Sequence, residues 1–124
     1  MLRDFIKMER TELYHPESGR MRIAGFISGS GTNLKKILEY EKKLESGEWG
    51  RSSYKVVVVF SDNDESNARQ IAREYELSVI VRDIREFYKL KGKPRKDLSV
   101  REEFDEETVH FLKPFRIDTI AYAG

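Results

Sequence analysis

Between Ser28 and Asn33 the chain reads Ser-Gly-Ser-Gly-Thr-Asn, two glycines alternating with hydroxyl side chains and closed by an amide. Small residues let a backbone bend sharply with its N–H groups unpaired, and Gly29 and Gly31 can reach positive φ. The strand-like run Arg22 to Ile27 precedes them, and from Thr32 to Glu45 Leu34, Ile37, Leu38, Glu41 and Leu44 recur at helical spacing. The free amides and positive dipole end of such a helix face the bend and form a cradle for an anion. Ser30, Thr32 and Asn33 can add side-chain donors, so phosphate is the natural ligand. Two other glycine motifs do not fit. The dinucleotide fingerprint needs a third glycine where Leu34 stands, and no Gly-Lys pair is followed by Ser or Thr. The residues by themselves leave a second reading open, a tight turn in which Thr32 or Ser30 serves as an ordinary helix cap.

The elements that must position this stretch follow from the apolar pattern. Tyr54 to Ser61 contains Val56-Val57-Val58-Val59-Phe60, an unbroken apolar run suited to a strand covered on both faces, the habit of parallel sheets. Asp64 to Glu76 carries Ala68, Ile71, Ala72 and Tyr75 on one helical face, and Leu77 to Val81 is a third short strand. Arg82 to Leu98 reads as irregular, with Lys89, Lys91, Lys93, Arg95 and Lys96 around Gly92 and Pro94, and is too long for an ordinary βα loop. Ser99 with Glu102 reads as a capping box for a helix whose buried stripe is Val100, Phe104, Phe111, Leu112 and Phe115, ending at Pro114. Ile117 to Ala123 is a fourth strand. Right-handed crossovers place all four in one sheet, so the expected fold is α/β: a Rossmann-like open parallel sheet in order 3-2-1-4 with helices on both faces. Residues 1–20 read as an N-terminal extension, a short helix at Leu2, Phe5 and Ile6 and a polar turn at His15-Pro16, and residues 21–124 as the domain itself.

Composition narrows the classes of function. The 124 residues, 39% hydrophobic, suffice for one core, and 23 basic against 22 acidic residues provide no global attraction to nucleic acid or to an acidic membrane. Any anion site is therefore local. Without cysteine there are neither disulfides nor thiolate zinc sites, and no apolar run has the length of a membrane span or signal peptide, so the expected location is cytoplasmic. Charged residues reach 36% while Gln occurs once, a bias of heat-adapted proteins.

Other candidate groups read as structural. His110 follows Glu106 by one helical turn on a face that also carries Glu102, Glu103 and Glu107, an exposed pair rather than a general base. Asp62-Asn63-Asp64 lacks the glycine and the closing glutamate of a calcium loop and reads as a helix-capping turn. The basic run from Lys89 to Lys96 lacks interleaved aromatics and reads as a solvated insertion, with cover for a crevice at the sheet edge as the alternative.

Arg22-Ile-Ala-Gly-Phe-Ile-Ser-Gly-Ser-Gly-Thr-Asn-Leu34 resembles the opening strand and phosphate loop of the phosphoribosylglycinamide (GAR) formyltransferase family of folate-dependent purine-synthesis enzymes. Val56 to Asn63 resembles that family's second strand and its Ser-Asn, Arg101-Glu-Glu-Phe-Asp105 its Arg-Glu-x-Tyr/Phe-Asp helix, and Ile117 to Gly124 its strand ending in Leu-Ala-Gly. The resemblance covers residues 22–124 in family order. It implies that Gly29, Ser30, Gly31, Thr32 and Asn33 bind the phosphate of glycinamide ribonucleotide, and that Tyr122 and Gly124 lie on the substrate-amine and folate side. It also implies 10-formyltetrahydrofolate as co-substrate and no metal. The family's Asn-x-His-Pro-Ser motif and catalytic Asp follow the stretch that matches Gly124, and here no asparagine is followed two residues on by histidine. No catalytic residue transfers. The chain is expected to be either the phosphate-binding part of a longer enzyme or a short relative serving as a non-catalytic phosphate-binding or assembly module. The apolar fourth strand at a sheet edge leads to the further expectation of a homo-oligomer.

Overall fold

The computed structural model describes residues 19–47, 50 and 52–124. The expectations for residues 1–18, including the short helix and His15, lie outside it. The elements run β1 (Met21–Ile27), α1 (Thr32–Glu45), β2 (Tyr54–Ser61), α2 (Ala68–Glu74), β3 (Ser78–Val81), α3 (Ile84–Lys91), α4 (Leu98–Leu112), a 3₁₀ turn (Lys113–Phe115) and β4 (Thr119–Tyr122). They form one parallel sheet in the order β3-β2-β1-β4, as the pattern of apolar runs requires. The run Val56 to Phe60 in β2 is unbroken because both faces of the strand are covered. Val56 and Val59 join Ile23, Ile27, Leu34, Leu38 and Ile71 in one core cluster. On the other face Phe60 packs with Ile84, Tyr88, Val100 and Phe104, and Val58 with Ala24 and Leu112.

Helix α1 lies close against β1 because Gly25 has no side chain. A Cβ there would stand 2.6 Å from Leu34 Cδ1, so the glycine lets Leu34 sink onto the sheet, where it is wholly buried. The one acid on the apolar stripe of α1, Glu41, is buried as well, with 6% of its surface exposed. Its carboxylate accepts the Val56 N–H at 3.0 Å, beside a register shift in which Ile23 pairs with Val56 but Ala24 with Val58. Bulges leave ladder groups unpaired, and an unsatisfied buried N–H costs about 1–3 kcal/mol, which is why a carboxylate is stable in this position.

Four expectations are corrected. The segment Arg82–Leu98 is not irregular: it contains α3, capped by Asp83, whose side chain accepts from the Arg85 and Glu86 amides, and closed by Gly92 in the left-handed region at φ 68°. Buried Ile84 and Tyr88, one turn apart, were the periodic signal beneath the charges. Helix α4 begins one residue before Ser99, because Asp97 is the cap and accepts both the Ser99 amide at 2.9 Å and its hydroxyl at 2.6 Å. Within α4, Phe111 is 49% exposed and Thr108 takes the inward position, its hydroxyl donating to the Phe104 carbonyl at 2.8 Å. Residues 62–67 form a turn, so α2 starts at Ala68 rather than Asp64. No helix among the described residues is long and apolar enough to cross a membrane.

Candidate functional site

The glycine stretch sits where β1 ends and α1 begins, at the carboxyl edge of the sheet, between the two strands at which the chain reverses its direction of winding. Gly31 is the N-cap of α1 in the left-handed region, φ 76°, and no side chain caps the helix. Neither Ser30 nor Thr32 therefore acts as the cap: their hydroxyls bond each other at 3.0 Å, and the Thr32 amide has only a long contact of 3.4 Å to Ser30 Oγ. The first intrahelical bond runs from the Lys35 amide to the Gly31 carbonyl at 2.9 Å, so the amides of Thr32, Asn33 and Leu34 precede the helical ladder. There is no acidic residue in this first turn. Gly29, which can reach positive φ, does not use it, and a Cβ there would meet nothing within 4 Å. Gly31 is the constrained glycine, since its Cβ would lie 2.3 Å from Ile71 Cδ1 and 3.1 Å from Ile27 Cδ1.

The other expected residues lie on the neighbouring side. The Gly124 carbonyl accepts the Ser28 amide at 2.7 Å, and the Tyr122 ring meets Phe26 edge-on at 5.4 Å. Ser28, Tyr122 and Gly124 line one cleft of about 480 Å³ with Phe60, Asp62 and Arg101. Thus the glycine loop and the end of β4 adjoin, as the winding order requires. His110 is exposed and does not line the cleft.

Sequence reasoning missed the loop after β2 as part of this region. The Ser28 hydroxyl donates to Asp62 at 2.8 Å, and the Asn63 side chain donates to the Ser28 carbonyl at 2.9 Å. Asn67 donates its amide to the Gly29 carbonyl and its side-chain NH₂ to the Ser30 carbonyl, both at 3.0 Å. Behind them, Arg85 reaches the Asn63 side-chain oxygen at 3.2 Å and pairs with Asp83 at 3.0 Å. The Arg85 guanidinium, helped by the amides of Asp64, Arg85 and Glu86, holds the Asp83 carboxyl well below the usual carboxylate range. The available signal was topological: adjacent βα loops of a parallel sheet emerge side by side at its carboxyl edge.

Solved structures share the fold. A glycinamide ribonucleotide transformylase 1 from Symbiobacterium toebii aligns with a TM-score of 0.64 and 27% identity, over 87% of this chain and 43% of that one. The chain matches part of the glycinamide ribonucleotide formyltransferase fold. The enzyme of the same name from Geobacillus kaustophilus aligns at 0.61 and 26% identity over 83% of this chain and 46% of its own. Phosphoribosylglycinamide formyltransferase from Bacillus halodurans gives the same TM-score and identity, with 44% of its length covered. The chain thus spans less than half the length of these formyltransferases. No family model and no curated protein matches it.

Proposed function

We propose that this chain is the phosphate-binding part of a glycinamide ribonucleotide formyltransferase, with Gly29, Ser30, Gly31, Thr32 and Asn33 holding the substrate phosphate. The observation that carries the reading is the left-handed glycine, Gly31, in the N-cap position of α1, so that the first helical amides, outside the ladder as in any helix, have no capping side chain. The likeness to transformylases of that activity supports the choice of ligand. Tyr122 and Gly124 border the aromatic-walled cleft, whose size suits part of a flat co-substrate such as 10-formyltetrahydrofolate. Formyl transfer also needs donors for a developing oxyanion and a proton relay. The absence of any Asn-x-His sequence favours binding without turnover by these 124 residues alone.

Calorimetric titration with glycinamide ribonucleotide tests the reading. Saturable binding, displaced by inorganic phosphate and shifting the amide resonances of residues 29–33, is the expected result. A silent titration sinks it. Binding without turnover, even with 10-formyltetrahydrofolate present, is the outcome for a non-catalytic module as well as for a partial enzyme. Turnover restored by the family's remaining half selects the enzyme.

β4 lies at one edge of the sheet, with Tyr122 at its end 80% exposed. Such edges pair with further strands, and we expect a homo-oligomer formed through β4. Light scattering that finds a monomer at every concentration would count against it.

A further inference from the structure

We infer that Asn67 is a positioning residue for the glycine loop. This deepens the phosphate-binding reading and rests on it. Asn67 occupies the N-cap position of α2, where an asparagine side chain ordinarily accepts an amide of its own helix. Here it makes no capping bond. The side chain is turned the other way, and its NH₂ donates to the Ser30 carbonyl at 3.0 Å while the Asn67 backbone amide donates to the Gly29 carbonyl at 3.0 Å. A cap position has thus been diverted from its own helix to its neighbour's loop.

The consequence for an anion is geometric. In a peptide unit the carbonyl and the following N–H point in opposite directions. Fixing the carbonyls of Gly29 and Ser30 toward Asn67 therefore aims the amides of Ser30 and Gly31 away from the β2–α2 turn. Asn63 adds a third tie one residue earlier, donating to the Ser28 carbonyl at 2.9 Å. Three successive carbonyls, those of Ser28, Gly29 and Ser30, are held from one side by the turn that follows β2. A loop held in its binding conformation before the ligand arrives avoids the ordering cost of association.

The test uses the full chain with Asn67→Ala and Asn67→Ser. Serine caps helices about as well as asparagine but is too short to reach the Ser30 carbonyl, so Asn67→Ser should keep the wild-type melting temperature. Both variants should bind glycinamide ribonucleotide about tenfold more weakly than wild type, the loss of one hydrogen bond's worth of preorganisation. Hydrogen exchange at the amides of residues 30–32 should quicken by at least as much. A purely structural role for Asn67 predicts the reverse, a lower melting temperature with loop exchange and affinity unchanged, and that result overturns the inference. Should the wild type bind neither the ribonucleotide nor inorganic phosphate, the functional reading fails. Loop exchange still decides the positioning role: faster in both variants upholds it, unchanged refutes it.

Discussion

Gly31→Ala is expected to destabilise the fold by about 3 kcal/mol, because two independent costs fall on one position. The residue stands at φ 76°, and holding a residue with a Cβ in the left-handed region costs roughly 1–2 kcal/mol. Its Cβ would also lie 2.3 Å from Ile71 Cδ1, an overlap of the kind that adds about 1–3 kcal/mol when a well-packed core must shift. Urea unfolding measures the sum, and the double variant Gly31→Ala/Ile71→Val divides it, since valine lacks the clashing methyl. The double variant should fall short of the summed single effects by about 1 kcal/mol or more. Strict additivity would mean that the contact is not the cause. A bulkier substitution such as Gly31→Val damages packing as well as the loop, so loss of binding in that variant alone would not locate a ligand.

Arg82→Ala is the second large effect, expected at about 2–4 kcal/mol. Arg82 follows β3, its side chain is 14% exposed, and both terminal nitrogens of its guanidinium bond to α4. It donates to the Phe104 carbonyl at 2.9 Å, the Thr108 hydroxyl at 2.6 Å and the Glu107 carboxylate at 2.7 Å. The same group lies 4.4 Å from the centre of the Phe104 ring and 5.1 Å from that of Phe111. Its stem fills space that methionine could also fill, so Arg82→Met should recover about 1 kcal/mol of packing and none of the hydrogen bonding. A melting temperature unchanged in Arg82→Ala would show that α4 is held by its apolar stripe alone. Phe104 and Thr108 also line the cleft, which makes this cation the tie between the edge strand β3 and the cleft wall.

Arg82 also shows where sequence reasoning loses its grip. Nothing in its local sequence marks a basic residue after a short strand as buried, and only the packing of α4 reveals that Arg82 is bonded to three groups of that helix. Phe111 errs in the opposite direction. By type and by its place seven residues after Phe104 it belongs in the core, but the buried positions Val100, Phe104, Thr108 and Leu112 recur every four residues, so the buried stripe drifts around the helix and leaves Phe111 half exposed. Helix α3 was hidden because charged residues dominate its composition, although Asp83, the Ile84–Tyr88 pair and Gly92 mark its start, its face and its end.

The sequence by itself determined the parallel sheet, its winding order and the place of the glycine stretch between β1 and α1. These depend on local quantities, the period of apolar residues and the conformational freedom of glycine, that each segment carries within itself. Tertiary structure alone decided that Gly31 rather than Gly29 takes the left-handed turn, and it alone set Ile71, forty residues away along the chain, where a Cβ on Gly31 would stand. It alone brought Asp62, Asn63 and Asn67 against Ser28, Gly29 and Ser30. A hydrogen bond between two loops is a relation between distant segments. Neither segment records it in its own periodicity, so it exists only once the sheet has set their strands side by side.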